Sequence, residues 1–246
     1  MELSKARISK YSLLRHKKYR DKENLFMVQG EKAVTDTINS FEVEALLIKK
    51  GTTVPEKFKD YQYFEISEQD LRKISTLDSI PDVIGIYQIR QKIQTVEIDK
   101  ESFSLYLDGI QDPGNFGTII RTAHWFGIKN IFCSPNTVDL YNPKVVQSTM
   151  GSIAKIEIKY IEINQLKDSY PDIPVYGMIL DGENIFAVNN VRPGIIVMGS
   201  EGHGPSLNTL NALTRGFTIP PKNASDKPDS LNVAIATAIA LSQLVK

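Results

Sequence analysis

The stretch Leu107-Asp108-Gly109-Ile110-Gln111-Asp112-Pro113-Gly114-Asn115-Phe116-Gly117 decides how the chain is read. It joins an apolar strand, FSLYLDGI (103–110), to a helical stretch from Phe116 to Phe126 that carries Arg121, Thr122 and Ala123. Pro113 fixes φ, Gly114 supplies a positive φ, and Asn115 can cap the helix that follows. A strand feeding a helix in this way is a unit of an α/β layer structure, and in open sheets of that kind ligands gather at loops outside the strand ends.

Downstream the alternation continues. KNIFCS (129–134) reads as a strand and Pro143 to Met150 as a helix started by proline. Strands follow near IAKIEI, IPVYGMIL, GIIVMGS and GFTIP, and a last long helix starts at Leu231. Upstream, LFMVQ (25–29), VEALLIK (43–49), YQYFE (61–65) and VIGIYQI (83–89) read as strands, with helices around 31–39 and 67–77. Ser67 and Asp70 stand in cap spacing at the start of the second of these helices. The polar stretch 91–102 reads as a connector, although TVEI within it could add a short strand. We therefore expect two domains, residues 1–100 and 101–246, both α/β.

The chain has 246 residues, with 29 Lys+Arg against 29 Asp+Glu, one Cys and 41% hydrophobic residues. Such a composition, with a mean hydropathy of −0.20, describes a globular chain able to bury a core. The apolar VAIATAIALSQLV is shorter than the roughly 20 residues a bilayer crossing needs, so it reads as a buried helix. Cys133 has no partner for a disulfide and the N-terminus lacks a signal-peptide pattern, so a cytoplasmic location is expected. No cluster suggests a metal site.

The balanced charge excludes a protein that coats nucleic acid non-specifically. It is unevenly spread, however. Residues 1–25 carry Lys5, Arg7, Lys10, Arg15, Lys17, Lys18, Arg20 and Lys22 against Glu2, Asp21 and Glu23, a local +5. Such a segment reads either as a solvated amphipathic helix or as a face that tracks phosphates.

Two further loops share the character of the first: Val197-Met198-Gly199-Ser200-Glu201-Gly202-His203-Gly204-Pro205, and Ile219-Pro220-Pro221 through Asp229-Ser230-Leu231-Asn232-Val233. Neither GxGxxG nor GxxxxGK[ST] occurs, which disfavours a nicotinamide dehydrogenase or a P-loop NTPase. In order and combination the three loops resemble the signature motifs of the SpoU family of RNA ribose methyltransferases, within the SPOUT superfamily. The patterns are D-P-x-N-x-G-x-x-x-R-T-A, then G-x-E-G-x-G, then I-P followed by S-L-N-V. NPKVVQSTMGSIAKI (142–156) resembles the segment between motifs, and KYRDKENLFMVQGEKAVTDTI (18–38) resembles the family's N-terminal substrate-binding domain.

The resemblance implies a catalytic domain with a parallel sheet and a deep trefoil knot, joined to a smaller RNA-binding domain. It implies methyl transfer from S-adenosylmethionine to a ribose 2′-OH of structured RNA, here ribosomal RNA (23S), with tRNA or a non-catalytic ribosome-assembly role as alternatives. Arg121, Asn115, Glu201, Ser230 and Asn232 match the catalytic positions, and Met198, Gly199, Ile219, Pro220, Ser230 and Leu231 the cofactor-binding ones. Lys17, Lys18, Arg20 and Arg121 are the expected RNA contacts, and a homodimer formed through the knotted domain is expected. Arginine is a poor literal base, so Arg121 is assigned to anchoring phosphate and stabilising a developing alkoxide. Outside the motifs the same residues read as a surface ion pair (Arg121), helix caps (Asn115, Asn232) and a structural carboxylate in a Gly-rich turn (Glu201). His124 and His203 are imidazoles of the kind that serve as general bases but occupy no fixed motif position.

Three departures stand out. Ser200 replaces the usual Asn, Pro221 replaces Met, and the segment from Pro220 to Ser230 is longer than the common form and carries Asp226 and Asp229.

Overall fold

The computed structural model describes residues 3–90, 97–223, 225–226 and 228–245. The chain divides into two compact units, residues 1–91 with 139–154, and residues 92–138 with 155–246. The first half of the connector read at 91–102, including Thr95 and Val96 of TVEI, lies outside the described residues, as do Ala224 and Lys227 of the long third loop.

The first unit contains α1 (Lys5–Ser12), α2 (Lys17–Glu23), β1 (Leu25–Gln29), α3 (Glu31–Thr37), β2 (Val43–Lys49), β3 (Tyr63–Ile66), α4 (Glu68–Ile74) and β4 (Val83–Gln88). Its sheet runs β1-β4-β2-β3, antiparallel except for the β2–β3 pair. The apolar positions of α1 and the turn after it, Ile8, Tyr11 and Leu14, are buried with Leu25, Met27, Leu47 and Ile84 in one core cluster. Burial pushes the Tyr11 hydroxyl up to about 12, helped by the nearby Glu44. The Ser67 cap forms as expected, its hydroxyl accepting from Asp70 N at 3.2 Å.

The segment 139–154, grouped in the sequence with the second domain, packs in the first unit. The Tyr141 ring packs tilted against Phe26 with centroids 4.6 Å apart, and Val145 and Val146 are buried in α6 (Pro143–Ser148). Asp139 pairs with Arg20 at 2.5 Å.

The second unit is built on β5 (Ser104–Asp108), α5 (Pro113–Trp125), β6 (Asn130–Cys133), β7 (Glu157–Tyr160), α7 (Ile163–Ser169), β8 (Val175–Asn184), β9 (Ile195–Gly199), α8 (Leu207–Ala212), β10 (Arg215–Thr218) and α9 (Val233–Leu244). Six parallel strands run β10-β8-β9-β5-β6-β7. β5 and β9 are buried along nearly their whole length, as strands of a parallel sheet covered on both faces must be. Tyr106, Phe132, Val175 and Val197 share one core cluster with Ile163 and Leu166 of α7. α5 and α9 pack against each other.

Strand order decides where a ligand site belongs. From β5 the chain moves outward through β6 to β7, then returns on the other side of β5 with β8 and β9. The order therefore reverses between β5 and β9, and the crevice at their carboxyl ends is the favoured site of an open sheet. The first two motif loops emerge there. Among the described residues, no helix is long and apolar enough to cross a membrane.

Candidate active site

The first motif loop is set by its turn. Gly109 takes φ +74, a conformation that side chains disfavour. Its N–H donates to Ser134 Oγ at 2.8 Å and to Thr137 Oγ1 at 3.2 Å. The adjacent Asp108 is buried and accepts from Ser206 N at 2.7 Å, tying this loop to the segment after the second motif. Sequence reasoning singled out none of Asp108, Ser134, Thr137 or Ser206 as functional, because their partnership crosses strands that only the fold brings together.

The helix then starts earlier than expected. α5 begins at Pro113, and its cap is Asp112, whose Oδ1 accepts from Asn115 N at 2.7 Å. Asn115 is therefore not the cap, and its side chain is free to reach across the site. Its Nδ2 donates to Glu201 Oε1 at 3.1 Å, and its Oδ1 accepts from Asn232 Nδ2 at 2.9 Å. Glu201 also accepts from the backbone N–H groups of Gln111 and Asp112, both at 3.4 Å. Asn232 meanwhile caps α9, its Oδ1 accepting from Ala234 N at 2.9 Å and Ile235 N at 3.3 Å. One residue from each motif thus joins a single hydrogen-bonded chain, Glu201–Asn115–Asn232.

The second motif loop is a tight turn. Ser200 N donates to Gly204 O at 3.1 Å and Gly204 N returns a bond to Ser200 O at 3.0 Å, so Glu201, Gly202 and His203 form the tip. A Cβ on Gly199 would lie 2.1 Å from Pro205 N, so only glycine fits there. Ser200 Oγ donates to Gly204 O at 3.2 Å and accepts from His203 N at 3.4 Å. A short hydroxyl side chain suffices to brace this turn, which accounts for Ser200 in place of Asn.

The other expected residues are placed as follows. Met198 is buried at the end of β9, and Gly199 follows it. Ile219 and Pro220 lie half-buried after β10, while Ser230 and Leu231 are exposed immediately before the Asn232 cap. Arg121 stands on an exposed face of α5, about 9 Å along the helix axis from Asn115 at 1.5 Å per residue. It has no hydrogen-bond or ion-pair partner among the described residues, so the surface ion pair considered for it is absent there. His124 and His203 are exposed and neither joins the Glu201 chain. Cys133 is buried, and burial pushes its thiol well above the usual range. Among the described residues no group of His, Cys, Asp or Glu could hold a metal.

In the first unit, Lys17 and Lys18 are exposed, with Lys17 bonded to Asp21 at 2.7 Å. Arg20 departs from expectation. It is 2% exposed and bound to Asp139, to Leu14 O at 2.9 Å and to Arg15 O at 3.1 Å. Its charge is spent inside the unit and cannot meet an RNA phosphate.

The sequence matches the SpoU rRNA Methylase family over residues 102–242, more than half of the chain. The chain belongs to the SpoU rRNA methylase family. This SpoU protein also matches the MRM3-like substrate binding domain over residues 5–85. It is 34% identical to a TrmH-family protein of known structure from Porphyromonas gingivalis, with a TM-score of 0.85, covering 99% of this chain and 98% of that one. An AdoMet-bound rRNA methyltransferase from Sinorhizobium meliloti superposes with a TM-score of 0.84 at 25% identity, over 99% and 95% of the two chains. Among curated relatives, the 23S rRNA (guanosine(2553)-2′-O)-methyltransferase RlmP of Bacillus subtilis (strain 168) is 27% identical over 97% of this chain and 95% of its own. The SpoU chain is thus a methyltransferase with a parallel α/β catalytic fold and a smaller α/β N-terminal part.

Proposed function

We propose that this chain transfers the methyl group of S-adenosylmethionine to a ribose 2′-OH of ribosomal RNA. The observation that carries the reading is the Glu201–Asn115–Asn232 chain at the β5–β9 switch point, with an exposed Arg121, unpaired among the described residues, further along α5. The two-part match, a methylase with a substrate-binding domain, favours ribosomal RNA over tRNA, as do the names of the full-length relatives. A cytoplasmic site of action accords with that substrate.

The cofactor supplies an electrophilic methyl on a sulfonium cation. Met198, Gly199, Ile219, Pro220, Ser230 and Leu231 are the residues proposed to hold it. Their chemistry suits the molecule: backbone amides of a glycine-dependent turn, apolar Ile219, Pro220 and Leu231 for a purine, and the carboxylates of Asp226 and Asp229 in the same loop for a cation. Glu201 receives three N–H donors, so it is assigned to holding the first loop and Asn115 in place rather than to taking the proton. A guanidinium offers donors and no acceptor, so Arg121 is assigned to an RNA phosphate and to the alkoxide that develops as the 2′-OH attacks.

A homodimer through the knotted domain belongs to the same proposal. α9 is apolar around most of its circumference, yet Leu231 and Ile235 stand 47% and 54% exposed beside the Asn232 cap. A deep trefoil knot, implied by the resemblance to the family, is part of the same proposal, and the return of the chain from β10 at the sheet edge to Asn232 beside Asn115 accords with it. Calorimetry tests the enzyme reading: S-adenosylmethionine should bind at micromolar to submillimolar concentration, and no binding at millimolar cofactor would sink it.

A further inference from the structure

We propose that a cavity in the first unit seats one unstacked nucleotide of the RNA, a reading that rests on the proposed function and adds a recognition site to it. The cavity measures about 300 Å³, at the lower end of small-molecule pockets. One wall is the turn after α4, with Thr76 and Leu77, and the facing wall is α6 with Pro143, Gln147 and Ser148. Both walls are braced. Buried Gln29 donates to Thr76 Oγ1 at 2.7 Å and accepts from Thr76 N at 2.9 Å and from Ser75 Oγ at 3.0 Å. Across the cavity, Asn142 caps α6 by accepting from Lys144 N at 2.9 Å.

The groups that face the space fit a nucleotide. Arg15 is fixed by donating from Nε to Ser12 O at 2.9 Å and from Nη2 to Lys73 O at 2.5 Å, which leaves Nη1 for a ligand oxygen. Lys144 adds a second cation at the rim. Leu77 and Pro143 offer apolar surface to a base. The Gln147 amide and the Ser148 hydroxyl are half-buried and make no side-chain hydrogen bond among the described residues. An amide that donates and accepts at once, beside a hydroxyl, matches the edge of a base, and the Arg15 guanidinium matches its phosphate. Sequence-specific readers of RNA work on such splayed-out bases. Lys17 and Lys18, close to Arg15 in sequence, are exposed on the same unit.

The test uses the full chain and a dye-labelled, mixed-sequence, unstructured oligoribonucleotide carrying 4-thiouridine. Gln147→Leu with Ser148→Ala should weaken binding about tenfold, one good base contact, and remove the photo-crosslink to the peptide holding both residues. Cofactor binding and melting temperature should not move. Arg15→Gln should lower the slope of log affinity against log salt by about 0.7, one single-strand phosphate. If the double variant melts early, Gln147→Glu keeps the shape and must weaken the same oligonucleotide. Unchanged affinity and crosslinks overturn the proposal, as does a loss confined to protein-containing ribosomal particles, which assigns the cavity to a protein. Failure of the wild-type chain to bind S-adenosylmethionine would instead refute the enzyme reading, leaving the cavity to be judged by oligonucleotide binding alone.

Discussion

Asn232 donates to Asn115 across 117 residues of chain, and the same Asn232 caps α9 through its other side-chain atom. One side chain therefore serves both stability and site geometry, and the two can be separated. Asn232→Ala should cost about 1 kcal/mol through the lost cap and lower turnover. Asn232→Ser keeps an oxygen for the cap but cannot span to Asn115. It should restore most of the melting temperature and little of the activity. Equal recovery of both would refute the bridging role.

Arg121 is exposed and makes no hydrogen bond or ion pair among the described residues, so its removal should leave the fold alone. Arg121→Ala should reduce turnover on the order of 10²–10³-fold, the effect of losing one charge-stabilising donor, with cofactor affinity and thermal stability unchanged. Substrate titration and calorimetry on one preparation check both halves. An active variant removes Arg121 from the mechanism.

Arg20 and its neighbours Lys17 and Lys18 should part company. Arg20→Ala leaves the part-buried Asp139 and the Leu14 and Arg15 carbonyls without their donor and should cost about 1–3 kcal/mol in denaturant unfolding. Lys17→Gln with Lys18→Gln should leave stability intact and flatten the salt dependence of RNA binding. An unchanged salt slope would return both lysines to the role of solvated surface.

How much of this was legible in the sequence depends on the range of each interaction. β1 and β2 match their apolar runs, and the Ser67 cap forms as its spacing predicts, because alternation and capping are local. The Asp112 cap was readable too: proline favours the first helical position, so Pro113 points to the residue before it. The fate of Arg20 was not readable, since its partner lies 119 residues away. Nor does any local pattern show that 139–154, between two strands of one sheet, packs in the other unit. The three motif loops could be matched to a family, but their bonding through Asn115 exists only once β5 and β9 are neighbours.

Asp70 gives the first unit a pH dependence. Hydrogen bonds from Lys73 and then from Ser67 hold its carboxyl below the usual range. A depressed folded value means the contribution is complete above the unfolded pKa, about 3.9, and is lost as pH falls through the folded one. Asp70→Asn should remove that part of the acid limb of an unfolding profile. Superimposable limbs would contradict it.

Cys133, the only cysteine, is buried with a raised pKa. It should resist a disulfide reagent at pH 8 in the native protein and react once the chain is unfolded. Rapid native labelling would mean that β6 opens.

The most direct measurement is the position of the transferred methyl group. Ribosomal RNA from cells lacking the protein would be incubated with the purified chain and methyl-labelled S-adenosylmethionine, then digested to nucleosides. The label should appear in one 2′-O-methylated nucleoside with the wild-type chain and not with Arg121→Ala. Label on a base, or none at all with a chain that binds the cofactor, would contradict the account.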